Sequence, residues 1–113
     1  MRDDWGSSQA AQLRVEASQE SAEAVITLEG ELDQSTAEGF VACALEVLDA
    51  KPRSVTIEAH RLTFTDSSGL SALLRVRGLA FVDHVAFRIR DPSPTLRRLV
   101  EVSGTEDWLM PDE

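Results

Sequence analysis

Basic residues are scarce in this chain. One lysine and ten arginines stand against twenty acids, a formal net charge of −9 over 113 residues. A surface so poor in positive charge cannot follow a phosphate backbone, so nucleic acid is excluded as a partner. The charge suits a protein partner that presents basic groups, although solubility alone accounts for it equally well. Cysteine is nearly absent: the single Cys43 excludes an internal disulfide, and its apolar neighbours mark it as a small buried hydrophobe. No apolar run approaches the length that crosses a bilayer. The first residues, with two acids and no apolar segment, do not read as a secretory signal. The expectation is a cytoplasmic protein with no membrane partner. No His/Cys/Asp cluster has metal-ligand spacing, no glycine-rich lysine loop is present to hold a nucleotide, and no Gly-x-Ser-x-Gly elbow occurs. No metal, cofactor or catalytic residue is therefore assigned, and the chain is not read as an enzyme. Repeats, linkers and low-complexity stretches are missing too, which leaves one domain over residues 11–113 behind a tail over residues 1–10. In that tail only Trp5 is apolar enough to dock.

What is present is an alternation of two hydrophobic periods. Leu13 and Val15 alternate with polar neighbours, and Ala24-Val25-Ile26-Thr27-Leu28 is a β-branched run; the two predict an antiparallel hairpin. Gly30 to Asp33 leads out of the sheet. Ser35 and Glu38 have capping-box spacing ahead of a helix with Ala37, Val41, Ala44, Leu45 and Leu48 on its apolar side, ended by Lys51-Pro52. Ser54 to Ala59 reads as the next strand, followed by a short loop. A helix from about Ser68 to Val82 then buries Leu70, Leu73, Leu74 and Phe81. Val85, Phe87 and Ile89 alternate as a further strand. Ser93-Pro94 opens a last helix on Leu96, Leu99 and Val100, with Gly104 as its stop. Trp108-Leu109-Met110 packs back as a short strand or coil. Strands separated by helices imply parallel pairing, so the fold class is α/β, a mixed sheet with an antiparallel hairpin at one edge.

The turns after parallel strands share one rim of such a sheet, where ligands usually bind. Asp33, Asp66, Ser67 and Ser68 are expected to converge there. Ser67 or Ser68 sits at the positive end of a helix dipole, well placed to carry a phosphate. A single cap satisfies the helix, so an acid and two hydroxyls together exceed the structural need. Gly69 lets another backbone approach closely. Up the same helix Ser71, Arg75 and Gly78 follow Ser67 at i+4, i+8 and i+11, forming either a solvated stripe or a docking face beside the serine. A serine nucleophile would need a base. Of the two histidines, His60 follows a strand on that rim.

These residues carry a resemblance. Gly30-Glu31-Leu32-Asp33, Thr36-Ala37, Asp66-Ser67-Ser68-Gly69-Leu70, Ser93-Pro94 and Val102-Ser103-Gly104 look like the STAS domain of bacterial anti-sigma factor antagonists. The similarity runs from about Leu13 to Leu109. The resemblance implies that Ser67, with Ser68 as alternative, is phosphorylated by an anti-sigma factor that has serine kinase activity. It also implies that the unphosphorylated chain binds that factor and that a serine phosphatase resets the switch. Asp33, Asp66, Ser68, Gly69, Ser71, Arg75 and Gly78 are then the partner-binding set. The sequence itself does not determine an oligomeric state, and a monomer is the default for the free chain. One departure is Ser71, where family members often carry glycine. The same scaffold also serves as a scaffold or subunit in stress-signalling and lipid-transport complexes.

Overall fold

The computed structural model describes residues 12–110. Trp5 and the tail over residues 1–10 lie outside them. Strand β1 (Leu13–Glu20) pairs antiparallel with β2 (Glu23–Leu32) through the two-residue turn Ser21–Ala22, in which Ser21 takes a positive φ of 55°. Helix α1 (Ala37–Asp49) crosses to β3 (Ser54–Thr65), parallel to β2, and helix α2 (Ser67–Val82) crosses to β4 (Ala86–Arg90), parallel to β3. The sheet order is β1-β2-β3-β4. Helix α3 (Pro94–Ser103) and the one-turn α4 (Glu106–Leu109) follow. The mixed sheet expected from the sequence is the one observed.

Burial follows the strand period. Ala24, Ile26 and Leu28 of β2 and Val55, Ile57 and Ala59 of β3 face the helices and are almost solvent-free, while Val25 and Thr27 are only half-buried. Against them α1 sets Phe40, Val41, Ala44 and Leu48, and α2 sets Leu70, Leu73, Val76 and Ala80; the two helices also pack on each other. Two expected core residues fall elsewhere. Leu45 is 46% exposed, because Phe40 and Ala44 fix the contact line of α1 and Leu45 lies off it. Phe81 is 71% exposed: the last turn of α2 ends over an open groove rather than over the closed core.

Strand β3 is longer than its sequence suggests. The stretch expected to be a loop, 60–65, stays in the sheet because β2 also continues, pairing Glu29 with Arg61, Gly30 with Leu62 and Leu32 with Thr65. Two register shifts interrupt the pairing, opposite Thr27–Glu29 and Gly30–Glu31 of β2, and at each of them β3 carries one extra residue. Gly30 sits at the second with φ 117°, and a Cβ there would lie 2.1 Å from the Gln12 carbonyl oxygen. Strand β4 pairs only with Ser54–Glu58, and beyond it the chain turns into α3, whose N-cap Ser93 donates its N–H to the Ala59 carbonyl at 3.1 Å. Ser93 Oγ accepts from the Leu96 N–H, Pro94 opens the helix, and Gly104 closes it at φ 76°. The terminal Trp108-Leu109 segment is helical, not a strand or open coil. The Trp108 and Leu109 N–H groups both donate to the Thr105 carbonyl, which drives Leu109 into the core and leaves Trp108 outside.

Candidate functional site

The Leu32–Thr65 pairing brings the next residue of each strand, Asp33 and Asp66, side by side on the rim, and the Asp66 N–H reaches the Leu32 carbonyl at 3.4 Å. Asp66 is the only residue between β3 and α2. Its extended backbone (φ −113°, ψ −170°) turns Oδ1 onto the Gly69 N–H at 3.0 Å, an N-cap on the helix that follows. Since Asp66 fills that role, the serines are spared it. Ser67 is exposed and its hydroxyl makes no hydrogen bond among the described residues, whereas Ser68 is half-buried.

Gly69 does not belong to the outer face. It is buried, and a Cβ on it would come within 2.3 Å of the Leu32 carbonyl oxygen and 2.8 Å of Thr65 Cγ2. The close backbone approach expected of this glycine is made by the chain's own β2, so Gly69 docks α2 on the sheet. Ser71 and Arg75 are exposed and Gly78 half-buried on the stripe above Ser67. A Cβ on Gly78 would meet nothing within 4 Å among the described residues. Packing does not account for a glycine at that position.

Thr65 carries the other irregularity. It is buried, and its Oγ1 has no hydrogen-bond partner among the described residues. A buried hydroxyl without a partner costs about 1–3 kcal/mol. Thr65→Val removes the hydroxyl at nearly constant shape, so it is expected to raise stability by about 1 kcal/mol, read as a later urea midpoint at unchanged slope.

Asp33 is held within its own turn. Its Oδ1 accepts from the Ser35 hydroxyl at 2.8 Å and the Ser35 N–H at 2.9 Å. These bonds, with smaller contributions from Thr36, outweigh partial desolvation and hold its carboxyl below the usual aspartate range. A lowered folded pKa stabilises the fold above the unfolded value, about pH 4, and that contribution is lost as pH falls through the folded value. Asp33→Asn is therefore expected to lower the melting temperature slightly at pH 7 and to match wild type near pH 2, in thermal scans across that range. The Ser35/Glu38 capping box does not form. Helix α1 begins at Ala37 with Thr36 in the cap position, the Ser35 hydroxyl points back to Asp33, and Thr36 Oγ1 donates to the Glu31 carbonyl at 2.8 Å.

Glu38 reaches across instead to Arg75 of α2, 3.2 Å away, an exposed pair worth little to stability and easily opened by a partner. The sequence reading missed Glu38 in this role; spacing within one helix cannot reveal a contact between two. It also missed Phe64, 46% exposed beside the rim at the end of β3, because that segment read as loop. The histidines lie elsewhere. His60 is inside β3 rather than after it, roughly 17 Å of strand below Thr65, with Nδ1 3.2 Å from Glu58 and Nε2 accepting from Arg61. His84 follows the far end of the 16-residue α2. Neither stands beside Ser67. Cys43 is half-buried on α1, where desolvation first and Glu46 second push its thiol above the ordinary range. No helix among the described residues is long and apolar enough to cross a membrane, and no group of three or more His, Cys, Asp or Glu among them could hold a metal ion.

A family model described as Mlab, STAS domain matches residues 15–111. The anti-sigma F factor antagonist of Lysinibacillus sphaericus is 34% identical over 90 residues, spanning 76% of this chain and 74% of that protein. The chain is a STAS domain of the anti-sigma factor antagonist family. Among solved structures, the STAS domain here superposes on the antagonist SpoIIAA in its unphosphorylated form with a TM-score of 0.69, at 30% identity over 86% of each chain. On the phosphorylated form from Bacillus it superposes at 0.68, with 26% identity over 86% of this chain and 89% of the other. An anti-sigma factor antagonist from Mycobacterium paratuberculosis gives 0.79 over 91% of this chain and 87% of the other, a shared fold at 19% identity. The STAS sheet order, hairpin first and parallel strands after, is thus the frame that carries the rim.

Proposed function

We propose that this STAS domain is a phosphorylation-controlled binding switch, cytoplasmic and without catalytic activity of its own. Unphosphorylated, it binds an anti-sigma factor with serine kinase activity through the rim of Asp33, Asp66 and Ser68 and the Ser71–Arg75–Gly78 stripe, freeing the sigma factor. The kinase transfers the γ-phosphoryl group of ATP to Ser67 Oγ, with loss of the hydroxyl proton and departure of ADP, and the complex dissociates. A serine phosphatase restores the hydroxyl.

One observation carries this reading: Ser67 offers an exposed hydroxyl, unbonded among the described residues, in the first turn of α2 while Asp66 supplies the cap. Phosphate adds about −1.5 to −2 charges there, at the favourable end of the helix dipole, so the fold tolerates it. A partner built for a neutral hydroxyl does not. The near-equal superposition on the two SpoIIAA forms, 0.69 and 0.68, supports a switch of surface rather than of fold.

Incubation with the candidate anti-sigma kinase and ATP, followed by mass-spectrometric mapping, is expected to place one phosphate on Ser67. Phosphate on Ser68 would move the assignment one residue. Recovery of a transporter ATPase in place of a kinase, on pull-down from native cytosol, would instead make the chain a scaffold or transport-complex subunit.

A further inference from the structure

A second surface lies at the opposite end of α2, with no tie to the rim. Phe81 is 71% and Trp108 56% exposed, and with Arg77, Val85, Ala86 and Phe87 they line an open cavity of about 190 Å³. The Arg77 guanidinium stacks 4.9 Å from the Trp108 ring centroid, which holds the indole in place beside the cavity. An aromatic-walled cavity is not needed to close the core, since Leu109 beside Trp108 already does that.

The cavity opens onto a sheet edge. Among the described residues strand β4 pairs with β3 alone. The Ala86 N–H donates to the Arg53 carbonyl at 3.1 Å, so Ala86, Arg88 and Arg90 turn their backbone groups toward β3. Those of Phe87 and Ile89 point outward, and among the described residues no other strand meets them. Side chains on this edge alternate in chemistry: Phe87 faces the cavity, while Arg88 and Arg90 lie on the other, exposed face. Both charged residues of β4 are arginines. Arg90 is engaged by Glu58; Arg88 has no ion pair among the described residues.

We infer that the free edge of β4 and the Arg77–Phe81–Trp108 cavity together form a docking surface for an extended partner segment in which acidic and apolar side chains alternate. Added as a fifth strand, such a segment satisfies the outward backbone groups of Phe87 and Ile89. Its acids fall on the face of Arg88, whose guanidinium takes the cross-strand pair, and its apolar side chains enter the cavity between Phe81 and Trp108. A second copy of this chain is the poorer occupant, because symmetric antiparallel pairing centred on Arg88 sets the two Arg88 side chains against each other. Phe81 follows Ser67 by about 21 Å along the helix, so a partner held here leaves the serine accessible.

The test uses the full chain with Trp5→Phe, which leaves Trp108 as the one indole. It is titrated with the synthetic peptide Val-Glu-Phe-Asp-Val-Glu and with Val-Lys-Phe-Lys-Val-Lys. The acidic peptide is expected to shift Trp108 emission saturably and to slow hydrogen exchange at the Phe87 and Ile89 amides. Arg88→Glu, with an unchanged melting curve, is expected to weaken it about fivefold or more, and the lysine peptide to bind at least about tenfold more weakly. Ser67→Asp is expected to leave the peptide affinity unchanged, which separates this surface from the rim. Equal binding of the two peptides, no effect of Arg88→Glu, or absence of saturation overturns the proposal. So does concentration-dependent dimerisation abolished by Arg88→Glu, which assigns the edge to a second copy.

Discussion

Ser67→Asp is expected to weaken binding of the anti-sigma factor about a hundredfold while leaving the melting temperature within about 3 °C of wild type. The two halves of that result have separate causes. An added carboxylate in the first turn of α2 lies at the positive end of the helix dipole, where it is neutral to slightly stabilising. The same carboxylate joins Asp33 and Asp66 on a rim that a partner has to desolvate, and like-charge and desolvation penalties of roughly 3 kcal/mol amount to that loss of affinity. Ser67→Ala is expected to bind as wild type does and to accept no phosphate, in titration calorimetry and intact-mass measurements. If Ser67→Ala still takes up one phosphate and Ser68→Ala does not, the acceptor is Ser68. If Ser67→Asp binds like wild type, charge at this position is not the release signal.

Where the chain's chemistry is local, the sequence suffices to read it. The Ser93-Pro94 start and Gly104 stop of α3 depend on residues within one turn of each other, and the structure reproduces them. The alternation of Ala24, Ile26 and Leu28 likewise encodes which face of β2 is covered. Features that depend on two distant segments are not legible in this way. The upper half of β3 contains His60, Arg61 and Thr63, and reads as loop until β2 is extended past Gly30 to pair with it. Thr63 Oγ1 then bonds the Gly30 carbonyl at 3.1 Å, a contact across 33 positions. Asp33 and Asp66 could be placed on one rim from topology. That Asp33 spends its carboxylate on Ser35, while Asp66 caps α2 and frees Ser67, is a matter of side-chain geometry that spacing does not encode. Phe81 has the angular position of a core residue on α2. Its exposure depends on where the helix ends relative to β4 and α4.

The two glycines of α2 are expected to respond to alanine in opposite ways. Gly78→Ala meets nothing within 4 Å among the described residues, so the helix gains propensity and the fold gains up to about 1 kcal/mol. Gly69→Ala forces a Cβ to within 2.3 Å of the Leu32 carbonyl oxygen, and that oxygen is part of the backbone through which β2 reaches the rim. A flexible side chain would swing away from such a contact; a sheet carbonyl cannot move without shifting Asp33 or lifting α2 off Leu32. The expected loss is about 3 kcal/mol, at or beyond the upper end of overpacking effects, which lowers the urea midpoint by roughly 1–2 M at a slope ordinary for a domain of this size. Because lifting α2 also displaces Asp66 from Asp33, Gly69→Ala is expected to weaken partner binding even where enough folded protein remains to measure it. Gly78→Ala separates stability from docking: unchanged or higher stability with weakened binding locates a contact on the outer stripe. A wild-type midpoint for Gly69→Ala would mean that α2 does not rest on β2 at this distance, and the geometry that presents Ser67 would have to be redrawn.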